Sequence, residues 1–77
     1  MVEEERVVID EKVLGGKPVI KGTRIPVYVI VEMVANGLSI RDILEEYPEL
    51  SEEDVKAALR YAASLLKRET YYEISSR

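Results

Sequence analysis

A mainly α-helical domain, three helices behind a short β-strand and hairpin arm, is the fold this 77-residue sequence predicts. Three observations predict it. Apolar residues recur at helical spacing from Pro26 onward, and a serine-initiated helix start occurs twice, at Ser39 and at Ser51. Before them, prolines and glycines punctuate short β-branched pairs, the pattern of brief strands joined by tight turns. The chain divides into one domain over residues 1–68 and a tail over 69–77. Within the domain, residues 6–26 form the β arm and 27–68 the helices.

Arg6-Val7-Val8-Ile9-Asp10 is a short strand, β-branched residues ended by a turn former. Val19-Ile20 and Arg24-Ile25 flank Lys21-Gly22-Thr23, which predicts a hairpin or paired-strand excursion. Pro18 and Pro26 cannot donate to a ladder, so these strands are edges or very short. Val27, Ile30, Val31 and Val34 then share one helical face, and Asn36-Gly37 supplies a stop. A buried strand over Val27 to Val31 is the rival reading, since β-branched residues favour strands. Pro26 at the first turn and Gly37 at the end favour the helix.

Ser39-Ile40-Arg41-Asp42 is an N-cap with an acid at the third helical position, a relative of the capping box. Ile40, Ile43, Leu44 and Tyr47 form the apolar face of this second helix, and Pro48 ends it. Ser51-Glu52-Glu53-Asp54 repeats the device. Val55, Ala58, Leu59, Ala62 and Leu66 carry the third and longest helix to about Lys67. Glu52 and Lys56 stand at i, i+4, a favourable pair. Joined by Pro48-Glu49-Leu50, the second and third helices have the turn length of a helix-turn-helix.

Composition narrows the function classes. A chain this short buries only ~60% of its unfolded surface. It has no cysteine for disulfides, and no cysteine or histidine for a structural zinc site. Oligomerisation is the remaining route to stability, so a homodimer, joined through the arm or the helices, is expected. No apolar run approaches ~18 residues, and no basic-then-apolar leader opens the chain. A cytoplasmic protein without a membrane partner is the expectation. Catalysis is unpromising without His or Cys, and neither a metal, a cofactor nor a small-molecule substrate is expected. Glu52, Glu53 and Asp54 occupy a first helical turn, where the macrodipole favours anions. Glu45 and Glu46 lie on the exposed side of the second helix.

The net charge of −4 conceals a segregation. Residues 12–24 carry Lys12, Lys17, Lys21 and Arg24 with no acid, between strongly acidic stretches. Such a cationic hairpin is a device for neutralising phosphates, with salt-dependent affinity for nucleic acid. Equally, its cations serve as ion-pair partners for acids of this chain or of a dimer mate, or are plain solvated surface. The run is not a nucleotide-binding loop, because the G-x-x-x-x-G-K-[ST] order is absent. The third helix begins with acids that repel phosphate; Lys56 and Arg60, one and two turns on, reach toward a DNA backbone or a guanine. In the tail, Tyr71, Tyr72 and Ile74 are candidate partner-binding residues, or fold back on the bundle or a sister subunit.

The run GGKPVIKGTRIPV (Gly15 to Val27), the helix ending Asn36-Gly37-Leu38-Ser39, Ile43-Leu44-Glu45-Glu46-Tyr47-Pro48, and the stretch from Leu50-Ser51 to Ala62-Ala63 closely resemble the domain-of-unknown-function family 433. The resemblance covers about residues 5–68. It implies a small helix-turn-helix-like protein of the homeodomain-like class, commonly regarded as an antitoxin similar to the VapB type. By that resemblance Lys17, Lys21, Gly22, Thr23 and Arg24 form a functional arm, and residues 39–63 the helix-turn-helix. The partner implied is a PIN-like ribonuclease toxin; the reading adopted has it bound through the tail, and operator DNA bound through the arm with Lys56 and Arg60 of the third helix. A stand-alone DNA-binding regulator is the second reading. A protein-interaction module without DNA binding is the third.

Overall fold

Short β-branched pairs, two serine caps and three apolar stripes set the elements of the computed structural model, which describes residues 6–67. In order they are β1 (Val7–Val8), a 3₁₀ turn (Leu14–Gly16), β2 (Val19–Ile20), α1 (Val27–Ala35), α2 (Ile40–Glu46) and α3 (Glu52–Lys67). Strands β1 and β2 pair antiparallel, Val7 opposite Ile20 and Val8 opposite Val19. Val19 also bridges to Pro26, where the chain turns back toward α1.

Each helix starts for a visible reason, and α1 also stops for one. Pro26 is the N-cap of α1, and Leu38 N–H closes onto the Met33 carbonyl at 3.0 Å just past its end. Gly37, at φ 94°, takes the left-handed conformation that this stop requires and that other residues adopt only at a cost. The caps of α2 and α3 are reciprocal. Ser39 N–H donates to Asp42 Oδ2 at 2.9 Å and Asp42 N–H returns to Ser39 Oγ at 3.1 Å. Ser51 and Asp54 repeat the pair at 2.9 and 3.2 Å. The i, i+4 pair expected on α3 is formed, Lys56 Nζ to Glu52 Oε2 at 3.3 Å.

The core draws on nearly every element. Ile20 and Ile25 of the hairpin, Val27 and Ile30 of α1, Ile43 of α2, Leu50 of the turn, and Val55 and Ala58 of α3 form one buried cluster. Ile20, Ile30, Ile43 and Val55 are essentially inaccessible to solvent. Truncating Ile30 or Ile43 to alanine leaves a cavity in that cluster, a change that typically costs 2–5 kcal/mol. The β arm is therefore no appendage: its apolar half is part of the core.

Two residues of α3 depart from the expected apolar stripe. Ala57 is buried although it lies off that stripe, and Leu66, which lies on it, is 70% exposed. For Leu66 the cause is length. At 1.5 Å per residue, sixteen residues make α3 about 24 Å long, against about 13 Å for α1. The last turns of α3 outrun the helices that would cover them.

Candidate nucleic-acid interface

The basic hairpin is held by its backbone and by one hydroxyl. Ile20 N–H donates to the Ile25 carbonyl at 3.0 Å, and Val27 N–H to the Pro18 carbonyl at 2.9 Å, closing the two legs on each other. At the tip, Thr23 N–H donates to the Ile20 carbonyl at 2.9 Å, a four-residue turn over Ile20 to Thr23. Gly22 is its third residue at φ 84°, and Lys21, the second, has no positive φ. That combination defines a type II turn, in which the third position calls for glycine. A Cβ at Gly22 would meet nothing, so the demand is conformational and not steric.

Thr23 has a bonding role within the turn itself. Its hydroxyl donates to the Ile20 carbonyl at 2.8 Å and accepts from Ile25 N–H at 3.0 Å. Half-buried and doubly bonded, it fastens the turn. What it fastens is the pair of cations beside it. Lys21 and Arg24 are both exposed on either side of the tip, while Ile20 and Ile25 point into the core. Lys17 is exposed too, but four residues back along the leg, about 13 Å away at strand rise. None of these three makes an ion pair among the described residues.

The hairpin is tied to the start of α3 by a contact between residues 48 apart in the sequence. Arg6 Nη1 donates to Asp54 Oδ1 at 3.0 Å, while the Arg6 carbonyl accepts from Lys21 N–H at 2.8 Å. One residue thus touches both the hairpin tip and the N-terminus of α3. Its consequence is electrostatic: Lys21 lies at the same end of the molecule as Glu52, Glu53 and Asp54. Of the two α3 cations singled out, Lys56 is exposed but paired with Glu52, and Arg60 stands exposed one turn further on. Lys21 and Arg24 are brought together; Lys17, Lys56 and Arg60 are spread over separate surfaces. Tyr71, Tyr72 and Ile74 lie outside the described residues.

Of the carboxylates, Asp42 carries a lowered pKa, first because Ser39 N–H bonds its charged form and second because the Ser39 side chain does. It is a capping group, not an acid poised for catalysis. Among the described residues, no group of three or more acidic side chains is arranged to hold a metal ion. No helix of the described residues is long and apolar enough to cross a membrane.

Comparison with known proteins places this geometry. A family model described as a protein of unknown function, DUF433, matches residues 7–62, from β1 into α3. An uncharacterised protein of Sinorhizobium fredii, y4eO, is 46% identical over 50 residues, covering 65% of this chain and 23% of the relative. An uncharacterised protein of Archaeoglobus fulgidus is 78% identical over 23 residues, 30% of this chain and 64% of that one. The crystal structure of a DUF433 member from Anabaena variabilis superimposes with a TM-score of 0.75 at 33% identity, over 82% of this chain and 62% of that chain. This chain thus spans less than two thirds of the length of each of these proteins. The matched residues include the whole hairpin, both serine caps and the core cluster, and the chain belongs to the DUF433 family of proteins of unknown function.

Proposed function

We propose that this chain is the non-catalytic, antitoxin-like member of a type II toxin-antitoxin pair, binding operator DNA and a PIN-like ribonuclease. The observation that carries the DNA half is the hairpin tip. A rigid type II turn holds Lys21 and Arg24 outward, without ion-pair partners among the described residues, from a chain that is otherwise acidic. A turn fixed in this way presents both cations from one short stretch of ordered backbone, and contacts from them to phosphates release counterions. Lys17, Lys56 and Arg60 extend the contact, and Thr23 keeps the tip in shape. The ribonuclease half rests on the resemblance of the hairpin and helix run to antitoxins of the VapB type, with Tyr71, Tyr72 and Ile74 as the contacting residues.

One observation favours a second reading, a protein-interaction module that does not touch DNA. The first turn of α3, the part of a recognition helix that ordinarily meets base edges, carries Glu52, Glu53 and Asp54.

A salt titration separates the two. Replacing Lys17, Lys21 and Arg24 together by glutamine is expected to weaken operator binding and lower the slope of log K against log salt by about 2–3 for three lost phosphate contacts. Unchanged affinity and slope in the triple variant would sink the hairpin assignment. Binding by the wild-type chain no tighter than ~10⁻⁶ M at physiological salt would favour the protein-interaction reading. For the ribonuclease half, co-expression with the neighbouring gene product and a native mass of the complex is decisive: a bare homodimer leaves that half without support.

A further inference from the structure

The first two turns of α1 and the last turns of α3 leave between them a groove of about 430 Å³, floored by Pro18 and Val27. Its walls are hydrocarbon and aromatic ring, and Glu32 is the one charged side chain among them. Three of the six large apolar side chains exposed on the described surface stand around it: Tyr28 at 51%, Leu65 at 43% and Leu66 at 70%. A contiguous apolar patch of this kind marks an interaction surface. The volume would suit a small molecule, but such sites carry placed polar groups to orient a ligand, and these walls offer almost none.

We propose that this groove seats a second copy of the chain, related to the first by a two-fold axis, with Leu66 of each copy filling the groove of the other. Three features of the molecule carry the assignment. First, the patch is self-complementary, holding a hollow and a projecting side chain side by side, which is what an isologous interface needs. Second, the charges match. Lys67 follows the projecting Leu66 and Glu32 lies in the wall, and neither makes an ion pair among the described residues. In the proposed dimer Lys67 of one copy pairs with Glu32 of the other, twice over. Third, a chain of 77 residues with no cysteine and no histidine has neither disulfides nor a zinc site to supplement a small core, and burying this patch adds to it. The interface leaves the hairpin tip free, so the dimer holds whichever function the tip serves.

The test is sedimentation equilibrium and native mass of the full chain, with neither DNA nor another protein present. The wild type is expected at twice its 8.8 kDa at tens of micromolar. Leu66→Glu drives a carboxylate into the apolar groove and is expected to weaken self-association at least 100-fold. Because Leu66 is 70% exposed in the single chain, the variant's far-UV circular dichroism should stay that of the wild type, and its urea midpoint should match that of wild type diluted below its dimer dissociation constant. Glu32→Lys and Lys67→Glu each place two like-charge contacts in the dimer, for about a tenfold loss apiece. Mixing those two single variants restores both opposite-charge contacts, so the mixture should dimerise as the wild type does. A wild-type chain that stays monomeric at ~100 μM, as it would with its own tail in the groove, overturns the proposal. So does a dimer that Leu66→Glu leaves intact, or a pair of charge variants that fails to recover on mixing.

Discussion

The starts of α2 and α3 are nearly the same device in two settings. Each begins with a serine, each places an aspartate three residues on, and each closes both reciprocal hydrogen bonds at 2.9–3.2 Å. They differ in what the aspartate does with its other oxygen. Asp42 is exposed and serves its own helix alone. Asp54 has a side chain only 14% exposed and uses Oδ1 to accept from Arg6, 48 residues away. A helix cap has become a tertiary fastener at no cost to the cap, because a carboxylate has lone pairs for both tasks. That fastener sets where the hairpin tip stands relative to α3.

Removing the two aspartates should break the symmetry most. Asp54→Ala loses a cap, about 1 kcal/mol, and the bond to Arg6, up to about 1 kcal/mol after allowance for the half-exposed arginine. Asp42→Ala loses only the cap. Urea melts should therefore separate the two variants, and Arg6→Ala should cancel most of the difference in a double-mutant cycle. Equal costs for Asp54→Ala and Asp42→Ala would show that the Arg6 contact adds nothing. The serines sharpen the comparison from the other side. Ser39→Ala and Ser51→Ala remove the same local bond and are each expected to cost about 1 kcal/mol, some 4–8 °C in Tm for a domain of this size. A much larger cost at Ser51 would mean that its cap also positions Asp54 for Arg6.

The smallest effect is on titration. The hydrogen bonds from Ser39 hold the folded-state pKa of Asp42 below the ordinary aspartate value. Between those two values the unfolded chain binds more protons, so stability rises with pH there. The contribution is complete above the ordinary value and is lost as pH falls through the lowered one. Ser39→Ala should raise the Asp42 midpoint toward the ordinary value, read from the carboxyl carbon shift in an NMR titration. An unmoved midpoint would mean that the Ser39 backbone N–H, which the substitution keeps, carries the whole effect.

Most of the helical architecture was legible because its signals are local. Val27, Ile30 and Val31 share a face through spacing alone, and the two serine boxes require nothing beyond residues three positions apart. The Glu52–Lys56 pair is legible for the same reason. In the hairpin, Gly22 announces a turn, and Val19-Ile20 and Ile25 announce its legs. The cations of the candidate interface were equally visible as composition, although Thr23 was not visible as a fastener, because a hydroxyl beside a glycine reads the same whether it bonds its own loop or a ligand. The pairing of β1 with β2 had only a weak trace. Two-residue strands carry almost no periodicity, and their registry depends on which face the core takes up.

What the sequence by itself determined is the three helices, the serine caps of two of them, and the charge carried by the hairpin, since all of these follow from residues within a turn or two of one another. Tertiary structure alone decided that the hairpin's inner residues join the core, that Asp54 holds Arg6, and that α3 outruns its neighbours to leave Leu66 uncovered beside a groove. Those outcomes depend on relative lengths and on contacts across tens of residues. A local pattern states which face of a helix is apolar, but only packing states how much of that face finds something to cover it.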